Sequence, residues 1–260
     1  MTENKGIQSR VLDRVRESTG FPVIVQKDAA LPVRASLQSA RPGQPGHVIV
    51  VNPRYESQID YWVVVECLQV LRLWAVPYER QRDFRLSEEK QRHLIARLSN
   101  LPTYKQLNRQ VVSTAAAQQF TGITRQLRSM PCDVRVNQTV LREYSMLEEQ
   151  QRAAVVAMLQ ENSQCLRPEI ARMTTQQILN ANASMNAAYA LFWARAWGDR
   201  SILLPYEASG FQSNAERLLA ILDAEPDRGG VEDASLVDAW AREFHMETWY
   251  VWAEKVSERS

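Results

Sequence analysis

The chain has 260 residues, of which 45% are hydrophobic and 23% charged, proportions typical of a globular protein that buries a core. Its 31 basic and 30 acidic residues give a net charge of +1 and form no long run of like charge. This balance argues against electrostatic binding to nucleic acid or to an anionic membrane. The polar first ten residues and the short apolar runs contain no signal peptide or membrane span, so we expect a cytoplasmic protein.

Cysteine and glycine usage excludes several familiar kinds of site. Cys67, Cys132 and Cys165 are odd in number and far apart, which predicts reduced, buried thiols rather than a disulfide framework. No pair of cysteines or histidines has the close spacing of a metal site. The sequence also has no nucleophile elbow and no glycine-rich phosphate loop.

The first 51 residues predict a helix followed by three short strands. Ile7, Val11 and Val15 recur at helical spacing and predict a helix over about residues 5–18 that ends at Gly20. Three apolar stretches then predict strands, over residues 22–26, 33–37 and 47–51.

The remainder of the chain is predicted to be helical. A long, mostly apolar helix over residues 57–76, ended by Pro77, leaves little polar surface and is expected to be central. The later pattern predicts further helices over residues 87–98, 104–127, 136–144, 146–161, 168–197, 213–224 and 234–256. Ser87 and Ser213 are expected to cap helices, and Pro168 suits a first turn.

These elements predict a helix-dominated α+β fold, with a small N-terminal sheet packed on a long central helix and then an all-helical body. We place the sheet and the central helix in residues 1–80 and the helical body in residues 81–260. The two parts are expected to pack as one globular unit.

The segment from His47 to Trp74 combines a strand, an Asn52-Pro53 turn and a helix that carries Val65-Glu66-Cys67-Leu68-Gln69. This order resembles the centre of a zincin metallopeptidase of the compact gluzincin-like kind. In that family a strand at the sheet edge leads through an Asn-containing turn into a helix bearing H-E-x-x-H. The resemblance covers roughly 30 to 70 of the 260 residues.

The resemblance implies which positions would carry the chemistry of a zincin. Two histidines on one helical face bind zinc there, and the glutamate between them activates the metal-bound water. Glu66 occupies the glutamate position, whereas Val65 and Gln69 stand where the histidines would be. Valine has no lone pair and glutamine offers only a weak neutral oxygen, so we expect no zinc, no cofactor and no proteolysis.

Three residues are expected to line the cleft that the resemblance implies, namely Asn52, Tyr61 and Asp133. No spacing rule identifies a third zinc ligand, although Asp133 or Glu148 could stand near the site. The alternative interpretation is that Glu66 is a polar residue on a core helix, paired with an arginine such as Arg72.

The lost ligands favour a pseudoenzyme that binds a protein or peptide, because strand addition at a sheet edge does not need the metal. One alternative is an enzyme of unrecognised class that uses a pocket around Glu66, with Gln69, Tyr61 or Asp133. Another is a nucleic-acid-associated regulatory protein, which the balanced charge disfavours. No pattern predicts an oligomeric state.

Two further groups of side chains have a structural and a functional interpretation. The aromatic residues near the C-terminus are expected to be buried in the core, with a protein-binding face as the alternative: Trp240, Phe244, Trp249 and Trp252. Asn180, Asn182 and Asn186 lie among small residues, where their amides are expected to bond across helices, with a ligand role as the alternative.

Overall fold

The computed structural model describes residues 2–254, with the side chains of residues 6–230 and 232–254. It confirms a helix-dominated α+β fold with small sheets. The helices are α1 Thr2–Thr19, α2 Ile59–Trp74, α3 Glu88–Ser99, α4 Arg109–Glu143, α5 Glu148–Ser163, α6 Pro168–Met173, α7 Gln176–Trp197, α8 Leu204–Ala208, α9 Gln212–Ala224 and α10 Gly230–Glu243. The strands are β1 Val23–Lys27, β2 Ala35–Gln38, β3 His47–Val51, β4 Arg82–Leu86 and β5 Tyr250–Glu254.

The chain folds into two compact units. The first comprises the chain up to Tyr78 together with Arg135–Ala157 and Arg228–Val231. The second comprises Glu79–Val134, Met158–Asp227 and the chain from Glu232 onward. Across residues 2–254, every helix is too short or too polar to traverse a lipid bilayer.

The first unit contains the three-stranded sheet in the order β1-β3-β2. β3 pairs in parallel with β1 and antiparallel with β2, with Val25 opposite Ile49 on one side and Leu37 opposite Ile49 on the other. Alternate residues of β3 are buried, as expected for a strand with one face on a core. The predicted strand over residues 47–51 is therefore confirmed in position, and it is the central strand.

Two helices pack together in the first unit. The predicted apolar stripe of α1 is buried at Ile7, Val11 and Val15, and α1 lies against α2. α2 also contacts β2 and β3, so the long helix packs on the small sheet as predicted. Burial of these apolar side chains removes hydrocarbon surface from water and is the main source of stability here.

Backbone approaches backbone closely where residues 228–231 join the first unit. A Cβ atom added at Gly230 would lie 2.4 Å from the carbonyl oxygen of Arg72, near the end of α2. The neighbouring Gly229 has a positive φ of 83° and a Cβ there would lie 3.0 Å from the Cβ of Ala75. Only glycine fits this contact, because any side chain at position 230 would displace the end of α2.

The second unit is built around α7, which packs on α9. The buried face of α7 is rich in alanine, which lets the two helices approach closely. Asn214 of α9 donates from Nδ2 to Ser184 Oγ of α7 at 2.8 Å. α7 ends at Gly198, whose positive φ of 67° forms a left-handed cap.

The helix boundary predicted near Pro131 is wrong. The sequence predicts a break around Pro131, but α4 runs unbroken from Arg109 to Glu143. A proline inside a helix loses one hydrogen bond and costs about 3 kcal/mol. Burial of Met130, Cys132 and Val134 around it offsets that cost.

The predicted helix over residues 168–197 is divided into α6 and α7. Thr175 stands at the division, where its side chain accepts from Ile178 N and caps α7. Ser87 caps α3 and Pro168 opens α6, as predicted. Ser213 is not a cap, because α9 begins at Gln212.

The predicted C-terminal helix over residues 234–256 is also wrong, and its expected end lies outside the described residues. α10 ends at Glu243, just before His245, which has a positive φ of 54°. The chain then forms β5, which pairs antiparallel with β4. Phe84 stacks on Tyr250 with ring centroids 4.3 Å apart, so aromatic pairing across the strands stabilises this second sheet.

Candidate functional site

The turn into α2 is organised by Asn52. Its Oδ1 accepts from Arg54 N at 2.9 Å, and its Nδ2 donates to Leu31 O at 2.7 Å. Both ends of the amide are therefore used to hold the turn and the neighbouring loop. Asn52 was predicted to line a cleft, but it is buried and has a structural role.

The positions that the resemblance to zincins implies for the zinc site lie in the middle of α2. Val65 is only 8% exposed, while Glu66 and Gln69 are half-buried. Val65 and Gln69 are four residues apart and so lie on one face of the helix. Neither side chain carries the imidazole nitrogen that zinc prefers.

Histidine cannot supply a ligand near the sheet, because the first residue of β3 is already fully bonded. His47 is buried, its Nδ1 accepts from Ala40 N at 2.9 Å and its Nε2 lies 3.1 Å from Thr19 Oγ1. Among the described side chains, those of residues 6–230 and 232–254, no three histidines, cysteines, aspartates or glutamates gather in a metal-binding arrangement.

The thiol of Cys67, next to Glu66 in the sequence, is unreactive at neutral pH. Burial, with a smaller contribution from the charge of Glu66, raises the pKa of Cys67 to about 12. The thiolate is the form that attacks electrophiles and binds metals. Cys67 therefore stays protonated at neutral pH and acts as a small apolar side chain.

Tyr61 was also predicted to line a cleft, but it belongs to a buried polar network. Its hydroxyl donates to Asn137 Oδ1 at 2.9 Å, and Gln151 Nε2 donates to the same oxygen at 3.0 Å. All three side chains are buried. The network joins α2 to α4 and α5 within the first unit and leaves Tyr61 inaccessible to a ligand.

Asp133 and Glu66 belong to different units. Asp133 lies on the part of α4 that belongs to the second unit, whereas Glu66 belongs to the first. The grouping of Asn52, Tyr61 and Asp133 around one cleft stays a prediction.

The C-terminal aromatic residues serve the core of the second unit. Trp240 is buried and donates from Nε1 to Leu218 O at 3.1 Å. Trp249 stacks on Phe120 with ring centroids 5.1 Å apart. Phe244 is buried as well, and Trp252 is half-buried in β5. These positions favour the structural interpretation over a protein-binding face.

The resemblance to zincins implies an edge position for the strand before α2, and this implication is wrong. β3 is hydrogen-bonded on both sides, so its backbone cannot accept a peptide. The sheet edges belong instead to β1 and β2.

Only alternate residues of β1 form backbone hydrogen bonds to β3. Pro22 O accepts from His47 N at 2.9 Å, and Asp28 N donates to Val51 O at 3.0 Å. Alternate residues of a strand bond to the same neighbour, so the residues of even number between 22 and 28 face β3. The intervening residues direct their backbone groups away from it.

Val23, Val25 and Lys27 are these outward-facing residues, and no described backbone group bonds to them on the outer side. Ile24 and Val25 are 37% and 38% exposed, so both faces of the strand present apolar surface to solvent. Lys27 ends the open stretch with an ion pair to Glu56. An exposed apolar strand edge is a template for another strand.

No protein-family model, curated protein or solved structure matches the chain.

Proposed function

We propose that this protein is a non-catalytic binding module that adds an extended segment of a partner protein to the β1 edge of its first unit. It would be a pseudoenzyme of metallopeptidase-like design, in which recognition of a peptide outlasts the zinc site. The observation that carries the proposal is the outward-facing backbone of Val23 and Val25 beside exposed apolar side chains.

Two features of the first unit support binding over catalysis. Valine and glutamine at positions 65 and 69 provide no basis for activating a water molecule. The β1 edge needs no metal, because main-chain hydrogen bonds supply affinity and the side chains beside them supply specificity. The exposed Ile24 and Val25 favour a partner segment with apolar, β-branched residues.

A labelled peptide of alternating valine and threonine, about as long as β1, provides the test. We expect saturable binding by fluorescence anisotropy. The same peptide with N-methyl groups on alternate amides should bind far more weakly, because it keeps the side chains but loses the donors that strand addition requires.

Val25→Pro removes an outward-facing N–H without touching the bonds between β1 and β3. We expect it to weaken peptide binding about fivefold or more, from one lost hydrogen bond and the steric effect of the ring. Val25→Thr is the matched control, because it keeps the N–H and the β-branched shape. Equal affinity of the Val25→Pro and Val25→Thr variants, or equal binding of both peptides, would contradict strand addition.

A further inference from the structure

The second unit contains an open cavity of about 480 Å³, well within the range of small-ligand sites. One wall is a face of α4 formed by Gly122, Arg125, Gln126 and Ser129. These positions are spaced by three or four residues and so project from the same side of the helix. Asn182 and Asn186, one turn apart on α7, form the facing wall.

The side-chain amides of Gln126, Asn186 and Asn182 form a chain of two hydrogen bonds that run in the same direction, and we call this chain the amide relay. Gln126 Nε2 donates to Asn186 Oδ1 at 2.7 Å, and Asn186 Nδ2 donates to Asn182 Oδ1 at 2.8 Å. Asn186 is buried at the centre, where its Nδ2 also lies 3.5 Å from Cys165 Sγ.

The relay leaves complementary groups at its two ends. Because Gln126 donates inward, its carbonyl oxygen remains an open acceptor, and because Asn182 accepts inward, its NH₂ group remains an open donor. Within residues 2–254 neither of these atoms has a protein partner. The acceptor on α4 and the donor on α7 match the N–H and C=O of an amide.

A positive charge stands beside the relay. Arg125 lines the same cavity and is exposed, and its guanidinium bonds to no other residue in the described part of the chain. Guanidinium groups bind carboxylates with two parallel hydrogen bonds. Met130 and Ile170 add apolar surface to the cavity, which suits a medium-sized aliphatic group.

The lining of the cavity disfavours a nucleotide as the ligand. Among the described residues, no aromatic side chain lines the cavity, so a base would have nothing to stack on. Glu161 also lines the cavity, and its negative charge opposes the multiple charge of a phosphate more strongly than the single charge of a carboxylate.

Gly122 lines the cavity. It lies inside α4, where glycine is unfavourable relative to alanine, and a Cβ atom built there would meet nothing within 4 Å. Close packing therefore does not require glycine at this position. A larger side chain would extend into the space beside Arg125 and Gln126.

We infer that the second unit binds a small monocarboxylate that carries an amide group, the chemistry of an N-acylated amino acid or of a peptide C-terminus. Arg125 binds the carboxylate, the open ends of Gln126 and Asn182 bind the amide, and the apolar surface takes the side chain. This site goes beyond the β1 edge and does not depend on it.

Ligand-observed NMR titration with N-acetylleucine tests the inference. For a ligand of about a dozen non-hydrogen atoms we expect a dissociation constant on the order of 1 mM or below. N-acetylleucinamide, which lacks the negative charge, should bind about tenfold more weakly or worse. A longer peptide that ends in leucine distinguishes a protein C-terminus, if it binds far more tightly, from a small metabolite, if it does not.

Matched variants separate the site from general effects on the fold. Arg125→Gln should weaken N-acetylleucine binding about tenfold, and Gly122→Leu should abolish it by filling the cavity. Arg109→Gln and Thr121→Leu introduce the same side chains at exposed positions of α4 outside the cavity, and both variants should bind as the unmodified protein does. Val25→Pro should also leave this binding unchanged.

Three results would overturn the inference: no saturable binding of N-acetylleucine, equal binding of the acid and its amide, or undiminished binding by Arg125→Gln. Tighter binding of adenosine monophosphate than of N-acetylleucine would overturn the ligand class. Circular dichroism of Gly122→Leu shows whether its loss of binding reflects a filled cavity or an altered fold. Arg125→Gln tests the site independently, because it changes an exposed side chain.

Discussion

Buried polar side chains of the first unit find partners that lie far away in the sequence. Tyr61 bonds to Asn137, and Asn52 bonds to the backbone of Leu31. A buried polar group without a partner costs about 1 to 3 kcal/mol, so such groups specify one arrangement of the surrounding elements. These polar side chains therefore stabilise the fold and are not available to bind a ligand.

His47 is the one buried histidine among three. Burial lowers its pKa below the usual value, because the imidazolium ion would lose its hydration. The bond from Ala40 N to Nδ1 acts in the same direction, since a proton on that nitrogen would displace the donor. His47 is therefore neutral in the folded protein at pH 7.

This shift predicts how stability depends on pH. The folded chain binds the proton more weakly than the unfolded chain, so unfolding takes up a proton as the pH falls. We expect the contribution of His47 to be complete above its unfolded pKa of about 6.5 and to be lost as the pH falls toward the folded pKa. Urea unfolding between about pH 8 and pH 5 measures the slope.

His47→Gln should flatten this slope, whereas His93→Gln, at an exposed position of α3, should keep it. An unchanged slope in His47→Gln would assign the pH dependence to other groups.

At the scale of elements, the stability of α4 depends on the helix propensity of its residues as well as on packing. Gly122 weakens this helix at an exposed position where a Cβ atom has free space. We expect Gly122→Ala to raise the free energy of unfolding by about 1 kcal/mol, measured as a higher urea midpoint.

Gly198 provides the opposite control, because it ends α7 with a positive φ. Gly198→Ala should lower the free energy of unfolding by about 1 kcal/mol, since a side chain is strained in the left-handed region. A loss of stability in Gly122→Ala would show that the glycine has a packing role.

At the scale of the whole molecule, ligand chemistry predicts the absence of zinc. His47 has both ring nitrogens bonded, and burial raises the pKa of the thiols of Cys67 and Cys165. Elemental analysis of the purified protein after dialysis in zinc-containing and then zinc-free buffer should find far less than one zinc per chain. Retention of one zinc ion per chain would contradict the assignment of Val65 and Gln69 as lost ligands.

Local patterns identified most elements of the first unit correctly. The stripe Ile7, Val11 and Val15 predicts α1, and the apolar run from His47 predicts β3 at its observed bounds. The same patterns failed where a distant partner decides the outcome. β5 exists because it pairs with β4, more than a hundred residues earlier in the chain.

The candidate sites also fall into those that local spacing predicts and those that depend on tertiary contacts. The four-residue spacing of Val65 and Gln69 places both side chains on one face of α2, whichever elements pack around that helix. Neither the open edge of β1 nor the bond between Gln126 and Asn186 follows from spacing, because each depends on which elements become neighbours.

The sequence by itself determined that this protein is a helix-dominated α+β fold, with no intact zinc ligand pair around Glu66. These properties depend on side-chain chemistry and on contacts a few residues apart, which act within any local stretch of chain. Only the tertiary structure decided that Asn52 and Tyr61 are structural, that β3 is central and β1 open, and that an amide relay lines a cavity. Burial and long-range hydrogen bonding assign these roles, and both arise only when distant segments pack together.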